Sequence, residues 1–358
     1  MLSWLKNLTN PTKKLTYSEN TFIIWEPCTH SHAEVIPGYA RYLLDLGFEV
    51  AIFATPARFD EGLFSKFNDS RIQLHRLPQW KIRRHFNKNG LGAARGILIT
   101  TARKLSGQEN YELESSIFSQ RTPNQKLLLV DHDIKATHKN GTLSSQIITL
   151  RQPHYKNAIT TVVNPHYFGE FPKSVLRKDA VNFITIGAMR KKRRNTTLLI
   201  NAAEALHRQG IFKFKITVIG KGSLAGIPSH LKLYFDIKGR IDFSQLYSEL
   251  ENADFFLTLL DPENPEHNRY ITTGTSGSFQ LIYGFLRPCL IAKKFAEINQ
   301  FTPNNSIIYN SNDELAEAMK KAISLSHEDY EALQKSLQMT ADAIYKQSLA
   351  NLSGLINN

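Results

Sequence analysis

The sequence predicts two tandem, doubly wound α/β domains, and three observations carry that reading. Strand-like apolar runs alternate with helix-like segments along the whole chain, as in parallel sheets joined by crossover helices. The length of 358 residues is more than one core ordinarily serves and is comfortable for two domains. Between the two alternating halves, Pro165, Gly169 and Pro172 crowd a short segment ending near Lys178, the best candidate for an interdomain linker. The expected division is an N-terminal Rossmann-like domain over 1–175, a C-terminal one over 176–330, and a terminal helix over 331–358 that can pack back on the first domain.

In the first half, NTFIIWEP reads as the opening strand, AEVIPGYARYLLDLG as a helix and FEVAIFATP as the second strand. GLGAARGILITTARKL reads as a helix in spite of its glycines. KLLLVDHD (126–133) is a buried strand, followed by strand-like SQIITLRQPHYK and AITTVVNP. In the second half, VNFITIGA is a strand and TTLLINAAEALHRQG a helix closed by Gly210. FKFKITVIGKG and LKLYFDIKGRI read as strands, and DFSQLYSELENA as a helix opened by Asp242 with Gln245 in capping-box position. ADFFLTLLD is a strand. TTGTSGSFQLIYGFLRPCLI (272–291) then sets small residues ahead of a helix and begins another strand after Pro288. The tail supplies two helices with Ser-x-x-acid caps at Ser311/Glu314 and Ser326/Asp329. There is no internal repeat, low-complexity tract or heptad run.

With 42% hydrophobic and 21% charged residues, the composition is that of a globular, soluble chain. No apolar run approaches the roughly 18 residues that span a bilayer. The start, MLSWLKNLTNPTKKL, lacks the apolar core of a secretion signal. It can form a short amphipathic turn, with Leu2, Trp4, Leu5 and Leu8 on one side, or fray. Cys28 and Cys289 are the only cysteines. A disulfide framework or a cysteine-based metal site is therefore not expected, and a reducing cytoplasm fits. The net charge of +12 is bunched in KIRRHFNK (81–88) and RKKRR (190–194). Such clusters attract nucleic acid, anionic lipid and phosphorylated small molecules. No zinc-finger spacing, RNA-binding aromatic motif or long basic helix accompanies them, so nucleic acid ranks second.

The order of motifs in the C-terminal half resembles the GT-B glycosyltransferases, in particular the retaining sugar-nucleotide transferases. FITIGAMRKKRRNTTLLINAAEAL carries Gly187, the Arg190–Arg194 run and Asn195 where the family has a glycine and a basic loop ahead of a helix. VIGKGS (218–223) matches its Ile-Gly-x-Gly strand end. IKGRIDFSQLYSELENADFFLTL repeats its strand, helix and Ala-Asp strand, and Gly284-Phe-Leu-Arg-Pro288 resembles its Gly-x-Pro. The likeness covers roughly residues 180 to 325. It implies two domains facing across a cleft, and transfer of a sugar from a UDP or GDP donor to a glycan or lipid-linked glycan without a metal or other cofactor. One departure stands out. Where the retaining group carries paired glutamates, this chain has Thr273 and Leu281; Glu263 and Glu266 lie upstream in DPENPEHNRY.

The chemistry to be served is a departing nucleoside diphosphate, which positive side chains and a helix N-terminus can stabilise. Arg190 and Arg194 stand beyond the first C-domain strand, at the carboxyl edge where open α/β sheets place ligands. Guanidinium forks suit phosphate oxygens. Thr273, Thr275, Ser276, Gly277 and Ser278 precede a helix on the same edge and offer hydroxyls and N–H groups. The resemblance adds Gly187, and places the nucleotide base against backbone at Gly239, Arg240 and Ile241.

On the acceptor side, His132 and Asp133 follow a strand and are the first choice for acid/base work. His30, His32, His154 and His166 also occupy loop-like positions. No third ligand joins His30 and His32, so no metal site is expected. The expected setting is cytoplasmic, either free or peripheral at the inner membrane face, in surface-polysaccharide assembly. A catalytically silent GT-B-like subunit that binds a partner or a glycan is the alternative.

Overall fold

The computed structural model describes residues 15–28, 32–101, 121–135, 147–156, 158–172, 179–190, 193–222, 224 and 226–357. They form two compact units, one of Met1–Glu170 with Ile344–Asn358, the other of Phe171–Ala343.

The first unit is built on seven parallel strands, β1 (Thr21–Trp25), β2 (Glu49–Ala54), β3 (Ile72–Arg76), β4 (Gly96–Ile99), β5 (Lys126–Val130), β6 (Ile147–Thr149) and β7 (Thr161–Val162), in the order β3-β2-β1-β4-β5-β6-β7. Every residue of TFIIW in β1 is buried, as expected of a strand covered on both faces. Helix α1 (Ile36–Asp45) carries proline in its first turn, where a missing N–H costs nothing. Its Gly38 lies against Pro165, leaving no room for a Cβ, and its Tyr42 hydroxyl donates to the Asn164 carbonyl at 2.6 Å.

Helix α2 (Gln79–Asn89) sends Ile82 and Phe86 into a core shared with Trp25, Phe53 and Ile97. The sequence reading extends a helix through GLGAARGILITTARKL; the structure turns after Gly90 and makes β4 instead. A Cβ on Gly96 would press on the Lys126 carbonyl and the Phe22 ring. The glycine that weakens a helix is thus what lets β4 lie between β1 and β5. The continuation of that stretch, 102–120, falls outside the described residues.

The second unit has six parallel strands, β8 (Val181–Ile186), β9 (Phe214–Ile219), β10 (Phe235–Gly239), β11 (Phe255–Leu257), β12 (Cys289–Ala292) and β13 (Ser306–Tyr309), in the order β10-β9-β8-β11-β12-β13. Its helices include α3 (Thr196–Arg208), α4 (Phe243–Asn252), α5 (Gly277–Phe285), α6 (Leu315–Ser324) and the first part of α7 (His327–Asn357), whose residues from Ile344 belong to the first unit. Asn195 caps α3 by accepting from Leu198 N at 3.0 Å, and Asp242 caps α4 by accepting from Gln245 N at 2.7 Å.

Two details depart from the sequence reading. LKLY is the end of a 3-10 helix over Ser229–Tyr234, because Leu231 and Tyr234, three apart, are both buried on one side. Ser311 makes no cap bond; Glu314 reaches back to accept from Asn310 N at 2.8 Å. Ser326 and Asp329 bond reciprocally as expected.

Helix α7 serves both units in turn. Tyr330 donates to the Asp254 carbonyl at 2.9 Å in the second, and Asn351 donates to the Val162 carbonyl at 2.8 Å in the first. Among the described residues no helix is long and apolar enough to cross a membrane.

Strand order reverses between β1 and β4 in the first sheet and between β8 and β11 in the second. Crevices at the carboxyl ends of such switch points are where open α/β sheets bind ligands.

Candidate functional site

In the second unit the carboxyl edge is knitted by glycine. Gly187 N donates to the Ile219 carbonyl at 2.9 Å, Gly220 N to Gly239 O at 2.8 Å, and Met189 N to Lys221 O at 2.8 Å. The ladder therefore runs past the strand ends. A Cβ on Gly220, whose φ is +143°, would overlap the Gly187 carbonyl oxygen. Gly187, at φ +136°, lies against the Arg194 guanidinium, which a Cβ would approach to 3.1 Å. Backbone contact this close needs residues without side chains.

Beyond Met189 the chain turns, with Arg193 N and Arg194 N both donating to the Arg190 carbonyl. Arg194 is only 4% exposed. Its Nη2 donates to the Ile186 carbonyl (2.9 Å), to Ser278 Oγ (2.7 Å) and to Ser276 Oγ (3.3 Å), and its Nη1 to the Arg193 carbonyl (2.7 Å). Burial pulls its pKa below the usual guanidinium value, yet a guanidinium stays charged in proteins. A positive charge is thus fixed beside the N-terminus of α5, where Ser276 caps the helix by accepting from Ser278 N at 3.4 Å.

Gly187, Arg194, Ser276 and Ser278 therefore meet at one point, with Gly277 exposed at the helix start. Thr273 is buried and Thr275 half-buried on the approach to it. Arg190 is exposed, while Lys191 and Lys192 fall outside the described residues. Gly239 ends β10 at φ +65°, followed by exposed Arg240 and half-buried Ile241. Leu281 is buried on α5, and Glu263 and Glu266 are exposed in the loop after β11.

An acid that sequence reasoning missed stands at the same edge. Asp261 accepts from Asn195 Nδ2 (2.8 Å), Asn312 Nδ2 (2.9 Å) and Glu263 N (2.9 Å). Burial pushes its carboxyl up, but these bonds outweigh it and hold the group below the usual carboxylate range. Its own N–H donates to His267 Nδ1 at 2.7 Å, which fixes the proton of that imidazole on Nε2. The signal was present in LTLLDPEN, an acid at a strand end followed by a turn. A cavity of about 470 Å³ lies at the opposite, amino-terminal edge of this sheet, lined by Asn182, Lys215, Asp236 and Glu249 among others, and is separate from this cluster.

In the first unit the corresponding edge holds a carboxylate. Glu26 follows β1 and is fully buried. It accepts from Thr100 Oγ1 at 2.7 Å, from Thr101 Oγ1 at 3.0 Å and from Cys28 N. Burial pushes its pKa up to about 8 in spite of these bonds. His132 Nε2 donates to the Thr100 carbonyl at 2.9 Å, and the ring lies against His32 at a tilt of 35°, with centroids 4.2 Å apart. Burial first, and His32 second, hold it well below the usual imidazole range. The neutral ring then offers Nδ1 as an acceptor.

Asp133 sits in a turn whose N–H donates to Asp131 Oδ1 at 3.0 Å, and its own Oδ1 accepts from Lys135 N at 3.3 Å. His154 is exposed, His166 is buried and donates from Nδ1 to the Asn164 carbonyl, and His30 lies outside the described residues. Glu26, Thr100 and Thr101 went unnoticed in the sequence; an acid between a strand and Pro27 reads as the start of a loop. Among the described residues no group of three or more His, Cys, Asp or Glu is placed to hold a metal ion.

No family model and no curated protein matches the sequence. Solved structures do match the fold. Sucrose-phosphate synthase from Thermosynechococcus elongatus superposes with a TM-score of 0.58 at 11% identity, covering 94% of this chain and 98% of that one. AviGT4, a glycosyltransferase involved in avilamycin A biosynthesis, gives 0.56 at 11% identity over 93% and 98% of the two chains. HepE from Anabaena, in complex with UDP-glucose, gives 0.55 at 14% identity over 93% and 99%. On that near-complete coverage in both directions, and with two parallel sheets of seven and six strands among the described residues, the protein has the GT-B fold.

Proposed function

We propose that the protein is a glycosyltransferase that moves a sugar from a nucleoside-diphosphate donor, of UDP or GDP type, onto a glycan or lipid-linked glycan. The observation that supports it most is the buried Arg194 guanidinium bonded to Ser276 and Ser278 at the open amide end of α5. A departing diphosphate gathers negative charge, and a fixed cation beside a helix N-terminus stabilises it without reorganising.

In this reading the N–H of the exposed Gly277, with Thr275 and the exposed Arg190, faces the two phosphates. Arg194 holds the helix start in place, and Gly187 leaves room for it. Thr273 lies toward the sugar, and the backbone of Gly239, Arg240 and Ile241 reads the base. No metal or other cofactor is required. His132, neutral with Nδ1 as an acceptor, and Asp133 are assigned to the acceptor hydroxyl, in acid/base work or in orientation. Surface-polysaccharide assembly is the setting that such an acceptor implies.

Thermal unfolding with UDP-glucose, UDP, GDP-mannose and dTDP-glucose tests the donor half. UDP-glucose comes first because HepE was solved with it. A ligand at about 100 times its Kd stabilises by roughly 2.7 kcal/mol, a readily measured rise in Tm, and Arg190→Ala should shrink that rise. If no nucleotide or nucleotide sugar moves the Tm, the donor site is not there.

A second reading, a binding subunit without turnover, draws on Thr273 and Leu281 standing where paired glutamates are expected. Donor consumption in the presence of glycan acceptors separates the two, because such a subunit binds donor at most.

A further inference from the structure

We propose that α2 docks the first unit onto an anionic lipid surface. Its sequence, QWKIRRHFNKN, contains no acidic residue. Helical spacing sends Ile82 and Phe86 into the core and leaves Trp80, Lys81, Arg84, Asn87 and Lys88 exposed on the outer arc. Trp80 is 60% exposed, and Lys81 Nζ stands 5.4 Å from its ring centroid. Trp25, in contrast, is wholly buried and donates its indole N–H to Gln79 Oε1 at 3.0 Å.

An indole with a polar rim of lysine and arginine is the composition that favours the headgroup layer of a membrane. The cations are also available for it: among the described residues none of Lys81, Arg84 and Lys88 takes part in an ion pair. A single indole on the convex face of a helix offers no stacking platform or groove for a nucleic-acid strand, so lipid is the better-fitting anion.

The position of α2 gives docking a consequence. Gln79, its first residue, donates to the Glu26 carbonyl at 2.6 Å and accepts from Trp25. The helix therefore starts at the carboxyl end of β1, the edge that carries Glu26, Thr100 and His132. Resting on the proposed transferase reading, the lipid-linked class of acceptor follows, because docking would bring this edge to the headgroups that carry it. The docking itself stands without that reading.

The test is co-sedimentation with vesicles of phosphatidylcholine containing about a third phosphatidylglycerol, against phosphatidylcholine alone, at low salt and without nucleotide sugar. Binding to the anionic vesicles alone is expected, weakening as salt rises. The triple variant K81E/R84E/K88E should lose about a hundredfold in partition, since each cation near the surface contributes a several-fold gain, with its unfolding midpoint unchanged. Trp80→Ala should bind several-fold more weakly and lose fluorescence quenching by brominated lipid; that variant decides the matter if the triple one fails to fold. Equal binding by wild type and triple variant, or equal binding to neutral vesicles, overturns the proposal. So does tighter binding of a mixed RNA at the same salt, which would make the face a nucleic-acid surface. Because no donor is present, a negative result in the nucleotide-sugar screen leaves this outcome readable.

Discussion

At the end of β8 the second unit buries a guanidinium among neutral acceptors, while at the end of β1 the first unit buries a carboxylate among hydroxyl donors. Both strands sit beside the reversal of strand order in their sheets, so topology places the two groups alike. Their behaviour in burial differs for a chemical reason. A guanidinium cannot shed its proton near neutrality, so Arg194 keeps its charge and the rim stays positive at every working pH. A carboxylate can take one up, and Glu26 is pushed up to about 8 by burial. The fold supplies two equivalent crevices, and the few residues after each central strand decide whether a crevice holds permanent charge or a group poised near neutrality.

The largest expected effect breaks the positive rim outright. Gly220→Ala sets a Cβ onto the Gly187 carbonyl at a φ of +143°, adding a backbone clash to left-handed strain. A loss above about 4 kcal/mol in chemical denaturation is expected, the range reserved for core disruption. Gly210→Ala is the control. It also has positive φ, +72°, but nothing lies within 4 Å, so strain alone should cost about 1 kcal/mol. Equal losses at the two positions would mean that close approach of Gly187 and Gly220 does not build the edge.

The second effect separates two arginines of one loop. Arg194→Ala leaves the Ile186 carbonyl and two serine hydroxyls short of a buried donor, and about 2–4 kcal/mol of stability should go with it. Arg190 is exposed, so its alanine variant should stay within about 0.5 kcal/mol of wild type while, on the proposed transferase reading, weakening nucleotide-sugar binding. If Arg190→Ala binds donor as wild type does, the rim acts through Arg194 and the helix end without it.

Much of this was legible in the residues, for definable reasons. Parallel strands buried on both faces read as nearly unbroken apolar runs, which is why TFIIW and CLIA declare themselves. The strand GILI hides because Gly90, Gly92 and Gly96 precede or open it and two arguments for glycine compete there, flexible turn and close packing. SIIY of β13 hides because four residues between polar turns carry too little pattern. In the second unit the cluster of Gly187, Arg194, Ser276 and Ser278 was legible because strand-end glycine, basic loop and capped helix each leave a local trace. The partnership of Glu26 with Thr100 and Thr101 links positions 74 and 75 apart, and no local pattern encodes it.

The last comparison lies within the first unit and concerns pH. Glu26 has a folded pKa raised from 4.5 to about 8. Its stabilising share is full below pH 4.5 and is lost as pH rises toward 8, because the unfolded chain gives up that proton first. His132 has the opposite sense. Its folded pKa lies below the ordinary 6.5, so stability is full above pH 6.5 and is lost as pH falls beneath it. Over the stretch between the two ordinary values, 4.5 to 6.5, the two slopes oppose one another and these groups should leave stability nearly level. Above 6.5 only the Glu26 slope remains. A fall of about 2 kcal/mol by pH 8 is expected, since each unit corresponds to at most 1.4 kcal/mol. Glu26→Gln, which keeps an acceptor and adds a donor of similar shape, should remove that fall and uncover a rise from pH 4.5 to 6.5. His132→Asn should do the reverse, starting the decline near pH 4.5. Urea unfolding midpoints at half-unit steps from pH 4.5 to 8.5 resolve the three profiles. Parallel profiles for wild type and Glu26→Gln would place the buried proton somewhere other than Glu26, and the first crevice would then be no more poised than the second.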